Sequence, residues 1–339
     1  MRKTGVFIFG MIAAVSFATG IGNIRLTNAY AAEDKKVYIG GMPAGFSLSA
    51  GGAQIIGISD VATEDGCFSP AARAGLKTGD VILSAAGIKV ETVGDLNDIL
   101  AKNKEKELEI RYKRGSPEQT LQVLPARDKN SGRYKIGVLI RDSVTGIGTV
   151  TYIDTVTRRY GSLGHAVVGE DRKELGIAGG VVYTCSIMGV TKGIRGRAGE
   201  LRGMFLGDSP LGHADKICHC GIYGTVDENY DLNTLTTAYC AEIKDVKIGK
   251  AYIYSTVNGV YPKKYSIEIA KVDKNNKENK NFVVKITDKD LLDETGGIVQ
   301  GMSGSPIIQD GKIIGAITHV FLNDPTRGFG IDINTMLKE

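Results

Sequence analysis

The sequence predicts a mainly β fold built from many short strands, and three observations carry that expectation. Glycine supplies 45 of the 339 residues and tryptophan is absent, a composition suited to frequent turns rather than long helices. Apolar, β-branched runs recur between glycines at 136–140, 147–153, 181–187, 251–257 and 265–269, and such spacing argues for a sandwich or barrels. The length also allows two or three domains with separate cores.

Taken from the N-terminus, the first element is a targeting segment. Arg2 and Lys3 precede an apolar stretch from Gly5 to about Ile24, and Ala29-Tyr30-Ala31 has the small-x-small form of a cleavage site. Residues 1–31 therefore read as a signal peptide or a membrane anchor, cleaved or retained, with export following either way.

Residues 37–127 read as one small domain. Pro70 suits a first helical turn and Gly75 a helix end. Gly79-Asp80 then turns the chain into the apolar strand Val81-Ile82-Leu83. Thr92 to Asp95 has the form of a capping box opening a helix that carries Leu96, Ile99 and Leu100. Leu108 to Tyr112 alternates apolar and polar residues, and Gly115-Ser116-Pro117 separates it from Leu121 to Leu124, giving a hairpin. Asp128 to Arg133 is polar throughout and reads as a linker. The second large domain spans residues 134–339, where the run from Lys271 to Lys280 reads as a solvated hairpin loop.

Chemistry concentrates in two glycine-framed stretches, Gly161-Ser162-Leu163-Gly164-His165-Ala166 and Gly301-Met302-Ser303-Gly304-Ser305-Pro306. A hydroxyl is a weak nucleophile until a base takes its proton, and an imidazole titrates near neutral pH. Glycines beside the serine let backbone N–H groups converge as an oxyanion hole needs. Ser303 is the candidate nucleophile, His165 the general base, and the N–H groups of Gly301 and Ser303 the oxyanion donors. Read singly, Ser303 is a turn serine and His165 a structural histidine; paired, they point to a serine hydrolase. Ser305 reads as a residue entering a strand, His319 as a side chain packed near the cleft, and His213 as structural or superficial.

The run Gly296-Gly297-Ile298-Val299-Gln300-Gly301-Met302-Ser303-Gly304-Ser305-Pro306-Ile307-Ile308, followed by Gly315 to Phe321, resembles the stage IV sporulation protein B peptidases of endospore-forming bacteria. The likeness covers nearly the whole chain after the N-terminal segment. It implies a PDZ domain of α+β type followed by a chymotrypsin-like double β-barrel of two six-stranded barrels, with His165 on the first barrel and Ser303 on the second. In that frame Gly45-Phe46-Ser47-Leu48 takes the place of the PDZ carboxylate loop. Phe46, Ser47 and Leu48 would then bind a peptide C-terminus or a segment of the chain itself by strand addition.

Alignment to the family puts Asp288 as the third catalytic residue, with Asp290 and Asp293 as sequence neighbours that could replace it, Asp208 as a more distant candidate, and a solvated turn as the plain reading of 288–294. The resemblance further implies export across the inner forespore membrane, self-cleavage near residues 32–36, and cleavage of a membrane-associated regulator so that mother-cell sigma-factor processing is activated. A catalytically inactive PDZ scaffold in the same compartment is the alternative.

A formal net charge of +4 with interspersed signs gives no phosphate-binding footprint, so no nucleic-acid partner is expected. Five cysteines at 67, 185, 218, 220 and 240 fit no disulfide framework. Cys218-His219-Cys220 invites a zinc reading, but a structural site wants four ligands, usually with two or more residues between paired cysteines, so no metal and no cofactor are expected.

Overall fold

Two strands much longer than the sequence suggests organise the molecule. The computed structural model describes residues 35–115, 117–167 and 178–339, apart from the side chains of Ala50, Asp208 and Ser209. The targeting segment at 1–31 lies outside these residues. Among the described residues no helix is long and apolar enough to cross a membrane.

Strand β1 (Lys36–Ile39) leads into β2 (Pro43–Ile58). A small domain follows: the β3–β4 hairpin (Val61–Thr63, Gly66–Phe68), α1 (Pro70–Ala74), β5 (Val81–Ala85), β6 (Ile88–Lys89), α2 (Val93–Asn103), the β7–β8 hairpin (Leu108–Lys113, Glu118–Val123), then β9 (Ala126–Arg127) and β10 (Tyr134–Lys135). Its local chemistry is as expected. Ser69 caps α1 by accepting from the Ala72 N–H, and Gly75 ends it at φ 99°. Thr92 and Asp95 form a complete capping box on α2. Leu96, Ile99, Leu100, Ile82, Ile110 and Ile55 share one buried core. The buried Asp80 accepts a bidentate pair from Arg114 at 2.7 Å for each oxygen.

Strand β11 (Val138–Asp154) returns the chain from this domain, and β12 (Arg159–Ser162), β13 (Gly179–Thr191), β14 (Glu200–Cys218) and β15 (Gly221–Val226) follow. Strands β11, β12, β15, β14, β13 and β2 pair in sequence, and β2 pairs back to β11, so six strands close a first barrel. Pro43–Ser49 of β2 pairs with Thr149–Ser143 of β11; beyond it, Gln54–Ile58 pairs with Arg141–Val138. Both strands therefore run from the barrel into the small domain, which is an insertion in the barrel rather than a unit ahead of it.

This topology corrects three expectations. The small domain does not begin at residue 37, because β1 and the first half of β2 belong to the barrel. Phe46, Ser47 and Leu48 are not a carboxylate loop: they pair with Gly146, Thr145 and Val144 on one side and Val182, Val181 and Gly180 on the other. Phe46 and Leu48 are each only 3% exposed, inside the barrel core. Gly45 is small for a packing reason, since a Cβ there would lie 2.1 Å from the Phe205 ring. The polar run 128–133 is a closed hairpin, not a linker. Asp128 is buried and takes Ser131 Oγ at 2.6 Å and Lys135 Nζ at 2.7 Å, and these hydrogen bonds, Lys135 first, pull its carboxyl down to about 2.

After β16 (Thr237–Tyr239) the chain builds a second closed barrel from β17 (Gly249–Ser255), β18 (Lys263–Val272), β19 (Phe282–Ile286), β20 (Pro306–Gln309), β21 (Lys312–Phe321) and β22 (Asp324–Asp332), with α3 (Lys289–Thr295) between β19 and β20 and α4 (Ile333–Met336) after β22. Its interior holds Ile253, Ile267, Ile269, Phe282, Val284, Ile307 and Ile317. A separate apolar layer joins the barrels, with Val37, Tyr152 and Tyr223 against Ile313, Ile331 and Met336. The 271–280 loop is only partly solvated. Asn279, 7% exposed, reaches across to donate to the His219 carbonyl at 2.8 Å.

Candidate active site

His165 follows β12 on a turn that only a glycine-bearing sequence makes easily. Leu163 and Gly164 have φ of 68° and 71°, in the left-handed region. A Cβ on Gly164 would sit 2.9 Å from both Ile331 Cγ2 and Thr318 Cγ2, so its absence lets the histidine loop lie directly on the second barrel. The His165 Nδ1 is 2.8 Å from the Ala166 carbonyl. A carbonyl only accepts, so Nδ1 carries the proton and Nε2 is left with its lone pair. Desolvation holds the imidazole below its ordinary value, against the opposing pull of the Ala166 hydrogen bond.

Ser303 lies on the loop entering β20. Gly301 and Gly304 have φ of 97° and 95°, and a Cβ on Gly304 would fall 2.1 Å from the Thr149 carbonyl oxygen. The loop is held from the first barrel by two threonines on β11. Thr149 donates its hydroxyl to the Gly301 carbonyl at 2.8 Å and its N–H to the Ser303 carbonyl at 3.1 Å. Thr151 donates its hydroxyl to the Gly304 carbonyl at 2.8 Å. Thr149 also accepts the Ser162 hydroxyl at 2.7 Å, so one residue ties the histidine loop to the serine loop. Sequence reasoning missed both threonines; their only trace is polar residues alternating with Val150 and Tyr152, a pattern shared with any barrel strand.

His165, Gly301 and Ser303 line a single cavity of about 410 Å³, walled chiefly by Ile147, Leu163, Val167, Ile298, Val299, Val320 and Leu322. Among the described residues, no acceptor is assigned to the N–H of Gly301 or Ser303. The Ser303 hydroxyl donates to the Thr318 carbonyl at 2.8 Å. His319 lines the same cavity, as expected, its ring centroid 5.0 Å from that of His165. Desolvation, then the neighbouring His165 and Lys280, keep it below its ordinary value. Ser305 is fully buried and bonded to Ser255 Oγ at 3.0 Å, which removes it as a rival nucleophile. His213 sits on β14, paired with Val181 and Thr225, outside the cavity lining.

Asp288 does not join this group. It is the N-cap of α3: Oδ1 accepts from Leu291 N–H at 3.1 Å and Oδ2 from Ser266 N–H at 3.1 Å. Its carboxylate is committed to holding a helix start against β18, so the expected triad contact is absent and the Ala166 carbonyl orients the imidazole instead. Asp290 and Asp293 are exposed on α3, and the Asp208 side chain lies outside the described residues.

A second cavity, about 400 Å³, lies in the inserted domain between Val93, Leu96, Asn97 and Leu100 of α2 and Val138 to Ile140 of β11. Among the described strands, Val138–Arg141 pairs only with β2. A β edge beside a helix is what strand addition uses, and it lies far along the chain from Phe46.

Two β-barrels with a serine and a histidine on loops facing one cavity, and a small α+β domain inserted between two strands, define a two-barrel serine peptidase with a PDZ domain. The family model described as SpoIVB peptidase S55 matches residues 132–337, and that for the PDZ domain matches residues 54–124. The chain belongs to the SpoIVB peptidase family and is a serine peptidase. The PDZ match starts past Phe46, Ser47 and Leu48.

Among solved structures, the PDZ domain of an SdrC-like protein from Listeria monocytogenes is similar at 22% identity, covering 27% of this chain and 90% of that one, with a TM-score of 0.23. The inactive form of the Rv3671c protease is similar at 15% identity, covering 57% and 81%, with a TM-score of 0.33. A search of curated proteins returns no match.

Proposed function

We propose that this chain is a sporulation endopeptidase in which Ser303 attacks the scissile carbonyl and His165 Nε2 takes its proton. The observation that carries this reading is the shared cavity: hydroxyl and imidazole open on one apolar pocket, on loops joined through Thr149. For attack, the Ser303 hydroxyl turns from the Thr318 carbonyl toward His165. The free N–H groups of Gly301 and Ser303 then receive the developing oxyanion. The imidazolium passes its proton to the leaving amine, and water hydrolyses the acyl-enzyme by the same route in reverse. The aliphatic walls suit an apolar substrate side chain next to the cleaved bond.

In this proposal the peptidase is exported across the inner forespore membrane and acts, anchored or released, in the space between forespore and mother cell. Its substrates are itself and a membrane-associated regulator, and cleavage activates mother-cell sigma-factor processing. Strand β1 is paired on both edges, with β11 and β16, which favours a self-cleavage point ahead of Lys36. The groove beside α2 takes a peptide C-terminus or a segment of the chain itself.

The test compares the purified wild type with Ser303→Ala and His165→Ala on a peptide copying residues 24–40. Each variant is expected to lose activity by several orders of magnitude with an unchanged melting temperature. Wild-type rates in Ser303→Ala would overturn the assignment.

A further inference from the structure

The hairpin tip between β14 and β15 carries chemistry that peptide hydrolysis does not use. Cys218 ends β14, opposite Gly221 at the start of β15, so His219 and Cys220 form the turn. Alone, these three residues lack a fourth ligand. The fold supplies one from the far side of the sequence: α4 packs against β21 and β22, Tyr152 Oη donates to the Met336 carbonyl at 3.2 Å, and Glu339 is delivered to the hairpin. The two Sγ atoms, one imidazole nitrogen and one carboxylate oxygen all lie within 4.8 Å of one another.

We propose that Cys218, His219, Cys220 and Glu339 form a structural zinc site that staples the first-barrel hairpin to the segment after α4. A tetrahedral zinc with Zn–S bonds of about 2.3 Å sets two sulfurs about 3.8 Å apart. Here the two free cysteines stand 3.1 Å apart, so they open slightly to admit the ion. Two thiols and an imidazole select zinc over magnesium or calcium, which prefer all-oxygen shells. Each thiol gives its proton to solvent as the metal binds.

The surroundings orient these ligands. Tyr223 Oη donates to the Cys220 carbonyl at 3.1 Å and lies 3.4 Å from Cys220 Sγ, Asn279 Nδ2 holds the His219 carbonyl at 2.8 Å, and Lys216 Nζ pairs with Glu339 Oε2 at 2.6 Å, leaving the other oxygen for the metal. Such outer contacts fix ligand direction in metal sites. None of the four ligands lines the Ser303 cavity, so the site and the peptidase reading stand or fall separately.

The experiment titrates cobalt(II) into the reduced, metal-free full chain, kept in detergent with a phosphine reductant, followed by zinc(II). One equivalent of cobalt is expected to give the intense visible bands of a tetrahedral site and thiolate-to-cobalt charge transfer, both abolished by one equivalent of zinc. Cys218→Ser and Cys220→Ser should each change or remove the charge-transfer band, and Glu339→Gln should weaken binding at least tenfold. Metal-free melting curves confirm that each variant folds, and zinc should raise the melting temperature of the wild type but not of Cys220→Ser. The proposal is overturned if the reduced wild type takes up no stoichiometric cobalt. A spectrum indifferent to Cys220→Ser, or an affinity indifferent to Glu339→Gln, overturns it equally.

Discussion

Thr149→Val tests whether the first barrel positions the nucleophile loop. Valine matches threonine in shape but lacks the hydroxyl, so the change removes one hydrogen bond, 2.8 Å from Thr149 Oγ1 to the Gly301 carbonyl. Thr149 is 1% exposed, and leaving a buried acceptor unpaired costs about 1–3 kcal/mol. Gly301 is itself only half-buried, which places the stability loss toward the lower end, with a fall in melting temperature of about 1–2 °C per kcal/mol for a chain of this size. The catalytic loss is the sharper readout. If the bond chiefly fixes the Gly301 peptide and the N–H beside it, the same energy, about 1–2 kcal/mol, appears in the transition state as a roughly 5- to 30-fold drop in kcat, since 1.36 kcal/mol is tenfold. KM should move little, because the aliphatic cavity walls are untouched. The assay is steady-state peptide cleavage beside thermal melting, with Thr149→Ser as control. Serine keeps the donor and loses a methyl, so it should retain most of kcat. A Thr149→Val protein with lowered melting temperature but wild-type kcat would refute the clamp.

Three further outcomes follow from the geometry. Cleavage should rise with pH as His165 loses its proton. Desolvation lowers the imidazole, so the midpoint should fall below the ordinary value of about 6.5, and a midpoint at 7 or above would contradict the buried ring. Asp288→Asn should keep the α3 cap through its side-chain oxygen while setting an amide against the Ser266 N–H, so stability should drop by about 1 kcal/mol with kcat within a few-fold. A loss of several hundred-fold in a folded protein would return Asp288 to the catalytic group. Phe46→Ala should cost the barrel about 3–5 kcal/mol without weakening PDZ-peptide affinity in the folded protein, whereas Val93→Lys should weaken that affinity and spare the melting temperature; the reverse pattern would restore the Phe46 loop.

What the sequence made legible is what short-range chemistry dictates. The capping box at Thr92, the Pro70 and Gly75 helix limits, the β7–β8 hairpin and the glycine frames around His165 and Ser303 all follow from residues within a few positions of one another. The failures share a different cause. Gly45-Phe46-Ser47-Leu48 has the local composition of a glycine-led loop, yet its conformation is set by pairing with Gly146 and Val182, some hundred or more residues away. Its glycine answers to the Phe205 ring, not to a turn. Asp288 sits at a plausible interval before Ser303, but an aspartate just ahead of a helix also makes a good N-cap, and the Leu291 and Ser266 N–H groups claim it. Thr149 is the converse case: an ordinary barrel threonine by sequence, it matters because two loops meet there in space. Interval along the chain therefore carries the nucleophile and base, each framed by its own glycines. The groups that orient and anchor them belong to contacts formed only when β2 and β11 close the first barrel.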